Sequence, residues 1–526
     1  MAAIITDNLR ISRAKQFVSA ASSSNYYSFI GLPNPNEYSS NWNVSPIAPK
    51  DSFEEESSYW DSMIALKKIH TSDIRQSIRK IKWESGITYD MYRHDITRDN
   101  ISRPSRATSL YSSNYYVVNS NYQVYICLYN GVSPENQEGR PSQFEPTFTD
   151  LEPRTAGNGS DGYIWKYLFT LNASEIIKFD STNFIPVPLN WGQDQQTSLI
   201  KNNAQNNGQI KICTIKNRGN YENVSSVRNR TFRNIPIKGD GTGATVSISF
   251  NSNFQVESIF VTNGGSDYTY GRVDLMAAGI PAAQVEPVFD VIIPPKGGHG
   301  FDIYNELGAF YVSAYARIEN DLENPDFITG NEIARIGIVE NPEKFNSTDP
   351  LTVDKASALS ALKLVGITNQ NDYNSATFQP DSFITQTVGT GVTAVGRVIS
   401  YDKNTGVLKY WQDKTLVGFA TTGGQNSPAY GLNLEKFTSS PETGGSLTIS
   451  GGSINLNIDV SFGSTESPGI TTVINNRTYK LGQSFINGVS NPEVKKYSGN
   501  IIYVDNRPAI TRSKNQKEDI KVILQF

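Results

Sequence analysis

Apolar positions along the chain recur mostly in short runs broken by Gly, Pro, Asn and Ser, and only a few stretches keep helical spacing. In TDNLRISRAKQFVSAAS, Ile11, Ala14, Val18 and Ala21 share one helical face behind Asp7 as cap candidate, which predicts a helix. Helical spacing returns between residues 57 and 82. There SSYWDSMIALKKIH sets Trp60, Met63, Ile64 and Lys67 at i, i+3, i+4 and i+7, and TSDIRQSIRKIKW sets Ile74, Ile78 and Ile81 on one face with Ser72 as cap. LTVDKASALSALKLVG, from residue 351, reads as a further short helix.

Elsewhere the pattern is that of strands. NYYSFIGLPNPN reads as a strand entering a Pro-rich turn, and NYYVVNSNYQVYICLYNG as a hairpin turning at residues 119–121. GNGSDGYIWKYLFTL carries a Gly-rich turn into an aromatic strand, with Tyr163, Trp165 and Tyr167 on one face and Ile164, Lys166 and Leu168 on the other. NFIPVPLNW closes this first part near residue 192. GNEIARIGIVENPEKF is a strand ending at Asn-Pro, and FITQTVGTGVTAVGRVISYDKNTGVLKYW is a hairpin turning at residues 402–406. At the end, apolar strands flank an Asn506-Arg507-Pro508 corner, where Pro508, lacking an N–H, fits a strand edge or turn.

One element repeats. TIKNRGNYENVS at 214–225 is echoed by FVTNGGSDYTYG at 260–271, which places Gly219 and Gly265 about 46 residues apart. Each copy reads strand, Asn-x-Gly turn, Tyr, strand, and two copies make a small β insertion rather than a solenoid. Gly, Ser and Thr dominate residues 420–470, which marks a second β insertion with long loops.

Composition strengthens the β reading: 27 tyrosines, 24 phenylalanines, 41 glycines and 25 prolines favour short strands and turns over helical bundles. A chain of 526 residues with 37% hydrophobic content can bury several cores. A net charge of -4 leaves no electrostatic footprint for nucleic acid. No apolar run approaches the roughly 18 residues of a membrane span, and the apolar start of MAAIITDNLR is too short for a signal-peptide core. A soluble protein made in a reducing cytoplasm is expected.

Candidate chemistry is sparse. Cys127 and Cys213 belong to no Cys or His cluster, so neither a disulfide framework nor zinc is expected, and both read as small buried apolar groups. His70, His94 and His299 lie far apart, away from any nucleophile motif. PPKGGHGFDIYNELGAFYV lacks the P-loop spacing and reads as a turn or loop. Asp150, Glu152 and Asp161, near a loop of aromatics, could imitate a sugar-cleaving carboxylate pair but match ordinary carboxylates around turns. Arg75, Arg79, Lys80 and Lys82, downstream of the acidic DSFEEE, read as the solvated face of a helix, with an acidic protein partner as the alternative. No catalytic, cofactor-binding or metal-binding residue is expected.

Five strings taken in order, NYYSFIG at 25–31, YWDSMIALKK with SIRKIKW, SDGYIWKYLF at 160–169, IARIGIVENPEKF at 333–345, and KYSGNIIYVDNRPAI with IKVILQF, carry a resemblance. The chain resembles the baseplate wedge subunit, of the gene product eight type, of T-even-like contractile-tailed phages. The resemblance covers about residues 1–195, 300–345 and 494–526. It implies a layered β-sandwich core with a few helices on loops, here with two inserted small β modules. The expected organisation is core 1–198, insertion 199–290, core 291–350, insertion 351–492 and closing strands 493–526. It further implies a homodimer that joins other wedge proteins in the virion's tail baseplate and takes part in its rearrangement at sheath contraction, without catalysis, cofactor, nucleic acid or membrane. A receptor- or glycan-binding tail protein is the alternative, and a tail-associated glycosidase a more remote one. On this reading the important residues are structural: Trp60 and Ile64 pack the first helical loop, and Trp165 and Tyr167 the core. Asp161 and Gly162 belong to the SDGYIWKYLF string, and Asn506, Arg507 and Pro508 form the terminal corner. Arg507 is either a solvent-facing turn residue or a charge-assisted clamp.

Overall fold

A computed structural model describes residues 4–32, 42–204, 208–222, 224–320, 325, 327–412, 435–513 and 516–526. The chain is mainly β, with 38% strand against 12% helix, so strand pairing organises the fold. It forms two compact units, residues 1–18, 74–314 and 522–526 in the first, 19–73 and 315–521 in the second. The expected single core is therefore shared: residues 19–73 belong to one unit and 74–198 to the other.

In the first unit the expected hairpin is present. Tyr116–Val118 and Gln123–Asn130 pair antiparallel, and Tyr163–Thr170 adds a third strand. Both faces of that third strand are buried, so alternation does not separate an inside from an outside; even Lys166 is 3% exposed, its Nζ held 2.6 Å from the Leu151 carbonyl. Residues of the expected first insertion form an apolar core around Tyr221, Ile235, Val246, Ile248 and Tyr268, which Val291 and Ile293, just beyond it, also join. Its four-stranded sheet runs Val256–Asn263, Thr245–Phe250, Thr231–Gly239, Gly271–Val273.

The repeat is structural as well as textual. In each copy an Asn side chain accepts the N–H of the glycine two residues on, Asn217 from Gly219 at 2.8 Å and Asn263 from Gly265 at 3.0 Å. Both glycines are left-handed, φ +68° and +63°, and a Cβ on Gly219 would meet the Pro287 nitrogen at 2.8 Å. The following tyrosines, Tyr221 and Tyr268, are both buried in the same core.

In the second unit a five-stranded antiparallel sheet runs Lys355–Ser357, Met63–Ile69, Tyr26–Gly31, Glu332–Glu340, Asn500–Thr511. Strands from both ends of the sequence thus flank Glu332–Glu340. Residues of the second insertion build a seven-stranded sheet over a core of Leu362, Leu364, Ile384, Val398, Leu408 and Leu456. The expected hairpin there is Val392–Asp402 with Val407–Trp411. The Pro-rich turn after Leu32 and the segment 413–434 lie outside the described residues.

Two expected helices are strands, and a third is a helix only in its first half. The helix Phe53–Ser62, capped by the Ser52 hydroxyl, ends one residue before Met63, and Met63–Ile69 is a strand. The run Met-Ile-Ala-Leu is buried on both faces between two neighbouring strands, a context in which periodicity cannot separate strand from helix. Ile74–Arg79 is also a strand, after a single 3₁₀ turn over Thr71–Asp73. Isoleucines four apart suit a helix, but four is also two pleats, and Gln76 completes the strand face by donating to the Ala309 carbonyl at 2.8 Å. LTVDKASALSALKLVG forms Lys355–Ser357 and Ser360–Gly366, its Ala and Leu content overridden by sheet packing. The first helix, Asp7–Ala20, forms as expected with Ile11 and Ala14 buried, but Thr6 rather than Asp7 caps it, accepting the Leu9 N–H at 3.4 Å.

The basic residues do not make a solvated helical face. Arg75 faces Glu175 at 3.9 Å and the Phe179 ring, Arg79 donates to the Ser113 carbonyl at 2.5 Å, and Lys80 pairs with Asp180 at 2.5 Å; Lys82 is exposed.

Arg218 ties the first insertion's turn to a loop of the same unit. It forks onto Glu135 at 2.6 and 3.0 Å and donates to the Val256 and Glu257 carbonyls. The Arg218 hydrogen bonds hold the Glu135 carboxyl down at about 2, against an ordinary 4.5. The depressed value means that the pair stabilises the fold above pH 4.5 and that this contribution disappears as the pH falls through about 2. Solvent screening keeps it small, since Glu135 is largely exposed. Glu135→Gln should therefore melt slightly below the parent at neutral pH, and the gap should close across that window in scanning calorimetry. A gap that stays constant down to pH 2 would contradict this.

Candidate functional site

The terminal Asn-Arg-Pro is not a corner between two strands. Asn500–Thr511 runs straight through it, and the next strand is Lys517–Gln525. Ile333 pairs with Ile510 and Arg335 with Asn506, so Arg507, Pro508 and Ala509 together oppose Ala334 in a bulge. The bulge removes the need for a ladder bond at Pro508.

Each residue of the motif acts differently. Asn506 accepts from Arg335 Nε at 2.8 Å and donates to the Ile47 carbonyl at 2.9 Å. Arg335 is fully buried, donates to the Ser62 hydroxyl at 2.7 Å and lies 4.7 Å over the Tyr59 ring. Arg507 points outward to Asp505 at 2.6 Å, while its carbonyl accepts from Trp42 Nε1 at 2.9 Å. The clamp is Asn506 on Arg335, and Arg507 contributes through its backbone. A second buried guanidinium, Arg512, forks onto Glu518 at 2.8 and 2.9 Å and donates to the carbonyls of Phe327 and Ile328. Neither Arg335 nor Arg512 stood out in the sequence; an Arg inside an otherwise apolar strand, as in IARIGIV, was the available signal.

Trp60 and Ile64 are fully buried, Trp60 among Tyr27, Phe29, Met63 and Leu66. Trp165 stacks on Tyr163 at 5.2 Å, and Tyr167 accepts from Gln196 Nε2 at 2.8 Å and bonds Thr170. Asp161 is buried and accepts the N–H groups of Gln143 and Tyr163 at 2.9 and 3.2 Å; Gly162, at φ +81°, turns the chain beside Gly131. Asp150 and Glu152 lie elsewhere in the loop, paired with Arg154 and with Asn203 and Lys211. The three carboxylates thus have separate structural partners.

The histidines are also separate. His70 meets Asp354 at 2.9 Å, His94 Nδ1 accepts the Ile293 N–H at 3.2 Å, and His299 meets the buried Glu306 at 2.7 Å. Burial pushes His94 below its ordinary value, opposed by the Asp95 charge. Cys127 and Cys213 are free and buried, and burial pushes the Cys213 thiol up to about 12. Among the described residues no group of three or more His, Cys, Asp or Glu side chains could hold a metal, and no helix is long and apolar enough to cross a membrane.

The feature that stands out is a hairpin missed in the sequence. Gly469–Ile474 and Arg477–Phe485 pair only with one another among the described residues. The Asn475-Asn476 tip, both residues left-handed at φ +50° and +61°, is the two-residue turn that suits strand twist, and INNR was its signal. Leu481 and Phe485 anchor the base with Ala361, Val407 and Phe462, but no residue from 470 to 480 is buried. Ile470 and Val473 are 55% and 66% exposed, and the strand Gly469–Ile474 carries no charge. An uncharged, apolar strand with a free edge is a template for pairing with another chain.

No protein-family model matches the chain, and no curated protein matches it.

Removing the Asn506 side chain leaves a buried guanidinium short of an acceptor, so Asn506→Ala should cost about 2 kcal/mol in denaturant unfolding. Arg507→Ala should stay within about 0.5 kcal/mol of the parent. The opposite ranking would return the clamp to Arg507.

Proposed function

We propose that this chain is a structural protein of the tail baseplate wedge of a contractile-tailed phage. On this reading it builds the baseplate and takes part in its rearrangement at sheath contraction. Its partners are other wedge proteins and a second copy of itself, and its role involves no catalysis, cofactor, nucleic acid or membrane. It is assembled in the host cytoplasm and resides in the virion. The ordered strings shared with the gene product eight type support the assignment to that family. The observation that carries an assembly role is the hairpin Gly469–Ile474 with Arg477–Phe485, in whose distal part no residue is fully buried. A lone two-stranded hairpin is marginal in water, and covering it with a neighbouring protein both stabilises it and forms a joint. Interfaces of this kind can exchange within a metastable assembly when the competing states differ by a few kcal/mol.

Mixing the purified chain with the other wedge proteins of the same virus should yield a complex of higher mass in light scattering. Val473→Lys places a charge on the free strand, the device by which natural edges avoid pairing. The variant should keep the parent melting temperature and drop out of the complex. A chain that remains a lone monomer in the mixture would refute the assembly role, and a Val473→Lys variant that joins as the parent does would remove the hairpin from the joint.

A further inference from the structure

A pocket in the unit of residues 19–73 and 315–521 has the makings of a ligand site. Its volume is about 330 Å³, inside the range of roughly 300–1,000 Å³ for small-molecule sites. Two cross-strand pairs line it: Arg397 opposite Trp411, and Glu332 opposite Thr511. Asn331 and Asp381 complete the polar lining, over the buried apolar side chains of Leu32, Val398 and Ile399.

Two buried polar groups here are unspent among the described residues. Asn331 is 5% exposed, yet among the described residues neither its amide nitrogen nor its amide oxygen has a hydrogen-bond partner. Buried amides are nearly always paired, and one that is not calls for a partner from outside the chain. The indole N–H of Trp411, 3% exposed, is likewise unpaired; Trp411 also lines a neighbouring larger cavity, so the assignment does not rest on it. Arg397 pairs with Asp381, its Nε 3.2 Å from a carboxylate oxygen. Asp381 sits at φ +66°, a left-handed conformation that holds its carboxylate at the pocket.

These groups select a ligand by the balance of donors and acceptors. Arg397, Trp411 and the Asn331 amide nitrogen donate, while Asp381, Glu332 and the Asn331 amide oxygen accept. Two carboxylates at the rim disfavour an anion, and the Arg397 guanidinium disfavours a cation. A neutral polyol, each of whose hydroxyls both donates and accepts, satisfies both sets. We propose that this pocket binds one or two residues of a neutral saccharide, with Asn331 and Arg397 as the recognition residues.

The test is saturation-transfer NMR on the full chain with glucose, galactose, mannose, rhamnose and N-acetylglucosamine as separate probes. Inorganic phosphate, followed by ³¹P line broadening, serves as the anionic control. At least one sugar should receive saturation, and Asn331→Leu and Arg397→Gln should each weaken its binding by about tenfold or more, the scale of one lost hydrogen bond to a charged or buried group. Asn331→Leu should also melt at or above the parent temperature, because it replaces an unpaired buried amide with an apolar group of similar size; a purely structural asparagine would melt lower. Arg397→Gln carries the test should Asn331→Leu fail to fold. No transfer to any of the sugars, unchanged transfer in the variants, or a response to phosphate alone would overturn the proposal.

Discussion

An antiparallel sheet ends in a row of N–H and C=O groups with no strand to pair with, and a chain built mostly of such sheets has to close each of those rows. The five-stranded sheet of the second unit shows how this is done. Its outer strand, Asn500–Thr511, is covered along the bulge by residues 42–47: Trp42 donates to the Arg507 carbonyl, Asn43 accepts from Ala509, and Ile47 accepts from Asn506. Its other edge is a strand of only three residues, Lys355–Ser357, too short to template much. Against this background the strand Gly469–Ile474 of the hairpin with Arg477–Phe485 stands apart, an edge without a charge, a proline or a pairing strand beyond its own hairpin partner among the described residues.

Covering the outer strand also explains why two arginines sit at zero exposure in a β core. A bulge three residues against one leaves the ladder interrupted, and the buried guanidinium of Arg335 bridges the gap by joining Asn506 to Ser62 and the Tyr59 ring. Arg512 does the same at the strand's far end, tying Glu518 to the Phe327 and Ile328 carbonyls. A guanidinium suits this task because its five donors form a rigid fork that stays charged when buried. Lysines in the same situation respond differently: burial pushes Lys363 below its ordinary value, opposed only by Asp459, and its ammonium lies between the Tyr373 and Phe462 rings.

The sequence made the β class, both hairpins around residues 119–121 and 402–406, and the repeated Asn-x-Gly turn legible, because each depends on local signals: turn residues at fixed offsets and alternating runs. It misled wherever packing decided. Met63–Ile69 and Ile74–Arg79 carry isoleucines and leucines at spacings common to both periods, and only their neighbours in the sheet make them strands. The terminal motif is visible in the sequence but which of its residues clamps is not, since nothing local distinguishes Asn506, which faces a buried charge 171 residues away in sequence, from Arg507, which faces its near neighbour Asp505. The orphaned Asn331 amide could not be anticipated at all, because being unpaired is a property of the surrounding fold.

The proposed assembly role requires that another protein complete the exposed hairpin. Hydrogen exchange of the amides between residues 470 and 480, followed by mass spectrometry, addresses this directly in the isolated chain and after mixing with the wedge proteins proposed as its partners. The expected result is fast exchange in the isolated chain, since both outer edges are unpaired among the described residues and no residue from 470 to 480 is fully buried, and strong protection in the mixture. Exchange equally fast in an assembled complex would contradict the claim that this hairpin is where the chain joins its neighbours.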